Sequence, residues 1–309
     1  MTTEIARTGL QILLVILLAP ALQGWIKQVK ARWQSRQGPP LLQPYWDLWK
    51  LLGKESLRPE VSSWIFRGAP WLVLGATLTA AALVPMLSAR GPLAAGDVIA
   101  IVGLLALARF AQALAALDTG SAFADMGASR EMAVAALVEP ALLVAVFALA
   151  IPVGSTDLGA LAAAGLANGL GALGPAHLLA LLALLIVAVA ETGRLPVDNP
   201  DTHLELTMFH EGMLLEYSGP PLAALELAAF VKQVVVLSLV AALVLPWGIG
   251  APLPIALVAL ALKLFTLGTL LACIESVTVK LRILRLPELL ATACALGILS
   301  LMAQPVFGG

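Results

Sequence analysis

The sequence predicts an all-α, polytopic integral membrane protein of about eight transmembrane helices, with an added amphipathic cytoplasmic helix. Three observations carry this expectation. Hydrophobic residues make up 60% of the 309 and charged residues only 12%, whereas soluble domains hold roughly 45–50% apolar and about 25% charged residues. So little polar surface cannot cover a globule of this size, and a bilayer removes the need. Eight apolar stretches approach the ~20 residues that cross a hydrocarbon core. No alternating strand pattern competes with them, so helices must satisfy the backbone inside lipid.

The stretches run over 8–26, 66–88, 96–117, 132–152, 176–191, 222–245, 252–272 and 286–304. The first lacks a small-residue cleavage site and reads as a retained span. Residues 158–173 are apolar but short, glycine-rich and interrupted by Asn168, so they form either a ninth span or an external loop with an interfacial helix. Charge placement favours the loop. With eight spans, Lys27, Lys30, Arg32, Arg36, Lys50, Lys54, Arg58, Arg67, Arg130, Arg194, Lys280, Arg282 and Arg285 share one side, and Arg7 and Arg90 take the other. A ninth span would send Lys280, Arg282 and Arg285 across. The positive-inside rule then puts the basic side in the cytoplasm and the N-terminus outside. Net charge is −1, and nothing suggests nucleic acid.

The chain reads as a single membrane domain, 1–309, with cytoplasmic segments at 27–65, 118–131, 191–221 and 273–285. In the first segment Leu41, Tyr45, Leu48 and Leu52 share one helical face, opposite Asp47, Lys50 and Lys54, while Trp46 and Trp49 suit the headgroup region. This is a helix lying along the membrane or against a neighbouring subunit. The third segment mixes Glu191, Arg194, Asp198, Asp201, His203, Glu205, His210, Glu211 and Glu216 with much apolar surface. Pro196 and Pro200 fix an extended lead-in, Thr202 is placed to cap a helix, and Gly219 to end it. Glu205 stands at capping-box spacing from Thr202. It also shares a helical face with Gly212 and Glu216, where desolvation and mutual repulsion raise proton affinity. His203 and His210 are either plain solvated side chains or proton-exchanging groups, and their spacing does not suggest a metal site.

Arg109, Glu139, His177, Glu226, Lys232, Lys263 and Glu275 fall within or at the ends of spans. Such charges are costly in lipid, face other helices, and either pair structurally or relay protons. Glu139, Glu191, Glu205 and Glu216 are the candidate carboxylate chain from the cytoplasmic segments into the bilayer. Cys273 and Cys294 sit in apolar runs and cannot hold a cluster or zinc by themselves.

These residues resemble a known family. Glu191–Gly219 is similar to the signature of the membrane subunit shared by respiratory complex I and the energy-converting membrane hydrogenases, and most like hydrogenase-4 component C and formate hydrogenlyase subunit 4. QGPPLLQPYWDLWKLLGKE, Gln37–Glu55, and GASREMAVAALVE, Gly127–Glu139, agree with it in order. The HLELTM wording with a following His-Glu is the hydrogenase form, and the complete Glu-Tyr-Ser-Gly at Glu216–Gly219 is shared with the complex I form. Gly193 departs from the expected Ser or Asn.

The resemblance implies a membrane-anchoring, proton-coupling subunit in a prokaryotic cytoplasmic membrane. Its partners would be antiporter-like membrane subunits and soluble hydrogenase-type large and small subunits. Iron–sulfur clusters and a nickel–iron centre would lie in those partners, with no cofactor or redox centre in this chain. The docking positions it implies are Gly38, Pro39, Gln43, Asp47, Lys50 and Arg130. The coupling positions are Glu139, Glu191, Arg194, Asp198, His203, Glu205, His210, Glu211 and Glu216. Two other readings stay open: a quinone-site subunit of a complex I-like dehydrogenase, and an independent ion transporter or channel.

Overall fold

The computed structural model describes residues 2–87, 96–168, 174–198 and 209–307. Among the described residues ten α-helices follow one another: α1 Thr2–Trp33, α2 Gln43–Leu52, α3 Trp64–Leu83, α4 Val98–Leu117, α5 Ala122–Ala150, α6 Leu158–Asn168, α7 Pro175–Glu191, α8 Gly219–Val244, α9 Leu253–Val277 and α10 Leu286–Phe307. Seven of them, α1, α3, α4, α5, α8, α9 and α10, are long and apolar enough to cross a membrane. The 17-residue α7 reaches about 26 Å at 1.5 Å per residue, the lower limit for a span.

α6 has 11 residues and reaches only about 16 Å, too short to cross. Two hydrogen bonds place the helix ends that flank it on one side of the bundle. Gln304 Nε2 donates to Ala148 O and Ser300 Oγ to Ala176 O. The end of α5 and the start of α7 therefore meet the same end of α10. Val98 N donates to Thr156 O and Leu158 N to Gly96 O, tying the start of α6 to the start of α4.

The expected segment 118–131 is mostly helical: α5 already begins at Ala122, so Arg130 and Glu131 ride on its first turns. Asp118 joins this side to α3, accepting from Ser63 N at 2.7 Å, Ser63 Oγ at 2.9 Å and Phe66 N at 3.2 Å. Burial pushes its carboxyl up, but these hydrogen bonds outweigh that and hold it below its ordinary value.

Among the described residues the expected helix does not run to Gly219. Thr202, His203 and Glu205 lie outside the described residues; Glu211–Leu214 is a single 3₁₀ turn, and Gly219 opens α8 instead. Glu216 therefore does not share an α-helical face with Gly212. Sequence pattern saw a helix followed by two prolines, but Pro220 and Pro221 occupy the first turn of α8, where proline is tolerated. Gly219 is required for two reasons: its φ is +63°, and a Cβ there would lie 2.7 Å from Lys54 O and 2.8 Å from Glu55 O. Gly219→Ala is expected to destabilise by at least about 1–2 kcal/mol from the left-handed backbone alone, read as a lower melting temperature of the purified protein. A melting temperature equal to wild type would contradict the close approach.

Candidate functional site: two buried charge centres beside a cavity

Helices α4, α5, α7 and α8 bring charges together inside the bundle. Arg109 of α4 is the hub. Its Nη1 lies 2.5 Å from Glu139 Oε1, its Nε 3.4 Å from Glu131 Oε1, and its Nη2 hydrogen-bonds Glu191 Oε1. Lys232 Nζ of α8 approaches the same Glu191 oxygen at 3.2 Å. The Glu191 side chain is only 2% exposed. A single guanidinium serves three carboxylates because its five donors fan out in one plane.

Glu191 closes α7, and the turn after it aims Arg194 the other way. Gly193 adopts φ +61°, the left-handed residue that commonly ends a helix. This accounts for glycine where Ser or Asn was expected. Arg194 Nη2 donates to Gln23 Oε1 at 2.5 Å and to Gln233 Oε1 at 2.8 Å, while Nη1 lies 3.5 Å from Glu275 Oε1. Gln23 Nε2 also donates to Gln233 Oε1. Lys30 Nζ reaches the other Glu275 oxygen at 2.8 Å. The Glu275 side chain has no exposed surface.

A third pair closes the loop between α7 and α9. Lys280 Nζ lies 2.8 Å from Asp198 Oδ1 and 5.2 Å above the Phe209 ring, and Phe209 N donates to Asp198 Oδ2 at 3.3 Å.

Several of these groups line a cavity of about 620 Å³. Arg109, Glu131, Glu191, Arg194, Asp198 and His210 line it, with Lys27, Asp47, Lys50, Lys54 and Glu226 and apolar side chains such as Val138, Leu214 and Phe230. α2 is thus amphipathic as expected, with its polar face over the cavity and Trp46 and Trp49 exposed outward. Leu52, expected on the packed face, is exposed, while Tyr45 donates to Leu17 O.

His210 Nδ1 sits 3.4 Å from Gln112 Nε2, and its Nε2 has no hydrogen-bond partner among the described residues. Burial holds its pKa below the ordinary histidine value. The sign follows: the folded protein binds fewer protons here than the unfolded chain, so stability is present above about pH 6.5 and falls as pH drops below it. His210→Gln is expected to shrink the drop in melting temperature between about pH 7.5 and pH 5. An unchanged drop would remove His210 as its source.

Several predicted residues stand apart. Glu216 is half-buried and forms no ion pair among the described residues, so it does not extend the Glu139–Glu191 chain. Glu226 faces the cavity without an ion pair among them, and Glu211 lines it too. Lys263 is buried with its ammonium 5.0 Å over the Trp247 ring. Gly38 is exposed, Pro39 and Arg130 half-buried, and Gln43 donates to Asp47 at 2.8 Å. Sequence reading overlooked Glu131, Lys30, Gln23 and Gln233. Glu131 and Lys30 were hidden among the basic and polar ends of helices. The two glutamines had no pattern to mark them, since only the fold brings residues 210 apart in sequence into contact.

Helices long enough to cross a membrane, packed around buried ion pairs and a cavity, define a multi-pass membrane protein with a buried charge network. The chain belongs to the NADH dehydrogenase family, whose model matches residues 7–304. It is 36% identical over 273 residues to formate hydrogenlyase subunit 4 of Escherichia coli, covering 88% of this chain and 84% of that protein. It is 38% identical over 265 residues to hydrogenase-4 component C of the same organism, covering 84% and 82%. An NADH-quinone oxidoreductase subunit from Thermomicrobium roseum is 32% identical over 271 residues, covering 79% and 78%. The fold matches a chain in the structure of the membrane-bound sulfane sulfur reductase, an archaeal respiratory membrane complex, with TM-score 0.83 at 21% identity over 97% of this chain and 99% of that one.

Proposed function

We propose that this chain is the membrane-anchoring and proton-coupling subunit of a formate hydrogenlyase/hydrogenase-4-like membrane-bound hydrogenase complex related to complex I. It links electron transfer in a soluble arm to ion translocation. One observation carries the reading: Glu131, Glu139 and Glu191 converge on buried Arg109, and Lys232 approaches the same Glu191, beside a cavity. Buried carboxylates that share cations change proton affinity when a neighbour's charge changes. An electron-transfer event docked over the cavity would alter that charge.

Identities of 36% and 38% to the two hydrogenase-type subunits, against 32% to the complex I type, support the hydrogenase branch. On this reading the N-terminus faces outward, and 27–65, 118–131, 191–221 and 273–285 face the soluble arm. Antiporter-like membrane subunits complete the ion path, and the soluble large and small subunits carry iron–sulfur clusters and a nickel–iron centre.

A mild-detergent pull-down of a tagged copy, followed by mass spectrometry, is expected to recover an antiporter-like subunit and a large soluble subunit. Two intact Cys-x-x-Cys pairs in that large subunit support nickel–iron chemistry, and their absence turns the reading toward the quinone type. A stable chain recovered alone would overturn both and favour an independent transporter.

A further inference from the structure

We infer that Lys30 and Glu275 form a second proton-transfer pair, distinct from the Arg109–Glu191 centre, that carries protons from the cavity into the interior beside α9. The inference rests on the proposed coupling function and extends it to residues outside that relay.

Three observations lead to it. Lys30 lines the cavity, whereas Glu275 does not and has no exposed side-chain surface. The two are in direct contact, Nζ to Oε2 at 2.8 Å. Glu275 also lies on α9, a helix that, among the described residues, contributes no ion-pair partner to the Arg109–Glu191 centre. A proton leaving the Lys30 ammonium for the Glu275 carboxylate converts an ion pair into an amine and a carboxylic acid. The net charge of the pair is zero before and after. Taking both charges out of water penalises the ionised form, and the neutral form does not carry that penalty. The amine left behind faces the cavity and takes its next proton from there. One proton has then been taken up from the cavity and one rests on a fully buried acid, so the pair carries a net charge of +1 until Glu275 releases its proton.

Arg194 sets the bias. Its Nη1 lies 3.5 Å from Glu275, and a guanidinium does not give up its proton. While it stays there it favours the carboxylate, and the proton remains on Lys30. Arg194 is held in place by Gln23 and Gln233 and sits three residues after Glu191, across the Gly193 turn. A rearrangement at Glu191 that draws Arg194 away lets the proton cross. Lys232 and Gln233, adjacent on α8, contact the two centres separately and give α8 the same leverage.

Lys30→Arg tests the pair most directly. Arginine keeps the charge and the ion pair but not the transferable proton. The intact complex is reconstituted in proteoliposomes, and ions moved per electron are measured for wild type, Lys30→Arg, Glu275→Gln and Glu191→Gln. Lys30→Arg and Glu275→Gln are expected to lower the ratio by about a hundredfold, the scale of a lost acid–base group, with electron transfer in the soluble arm retained. Lys30→Arg with the native ratio overturns the inference, because a counter-charge role survives that change. If Glu275→Gln fails to assemble, Lys30→Arg decides alone. If Glu191→Gln loses coupling while Lys30→Arg keeps it, this inference falls and the Arg109–Glu191 relay stands. If Glu191→Gln keeps coupling, that relay falls, and Lys30→Arg still decides here. Wild-type complex that moves no ions removes both.

Discussion

Glu191→Gln is expected to leave the complex assembled and electron transfer running while ion movement per electron falls by about 10²- to 10⁴-fold, the range for a removed proton-transfer group. The substitution changes little volume and keeps one carbonyl oxygen for Arg109. What it removes is the charge on which Arg109 and Lys232 both converge. Arg109 retains Glu131 and Glu139, at 3.4 Å and 2.5 Å, so the hub is not stranded. Lys232 loses its carboxylate but keeps 22% side-chain exposure toward the cavity, where water replaces the lost partner. Assembly and coupling therefore separate. Glu139→Gln is expected to lose coupling as well, since Glu139 is the more exposed end of the same contact, at 33% against 2% for Glu191. The measurement is ion uptake into vesicles normalised to electrons transferred. Unchanged uptake in either variant would take that residue out of the path.

The fold was legible because its signal is coarse. A span is an apolar run of sufficient length, and all eight expected runs appear as helices, with boundaries shifted by polar turns that extend α1, α5 and α9 beyond the apolar core. The segment after Glu191 was misread for a local reason: Gly219 followed by two prolines fits a helix end as well as a helix start, and only the approach of Lys54 O and Glu55 O decides between them. In the site, Glu139, Glu191, Arg194, Asp198 and His210 were visible because ionisable groups are conspicuous in apolar or mixed surroundings. Their partners were not. Arg109 was one charge among several, and nothing in its own span indicated that it would meet Glu131, Glu139 and Glu191 from two other helices. Pairing across helices depends on their packing, and hydrophobic periodicity does not encode that packing.

Removing the hub has the opposite signature to removing Glu191. Arg109→Met is expected to cost about 3–5 kcal/mol, the penalty for deleting one partner of a buried ion pair, because Glu131 and Glu139 lose their guanidinium and Glu191 keeps only Lys232. The outcome is poor recovery of assembled complex and a lower melting temperature, not an assembled complex that fails to pump. Arg109→Lys should fall between, since an ammonium preserves the charge but cannot reach three carboxylates with one planar fork. Lys263→Met supplies the contrast. Lys263 is as buried as Arg109, yet its ammonium faces the Trp247 ring and pairs with no carboxylate among the described residues. Deleting it leaves no orphaned charge and relieves the desolvation of one cation, offset only by a cation–π contact of about 0.5–2 kcal/mol. Melting temperature should therefore fall steeply for Arg109→Met and hold or rise for Lys263→Met. Equal losses in the two would mean that burial of a cation, and not the carboxylates gathered around it, sets the cost of removing it.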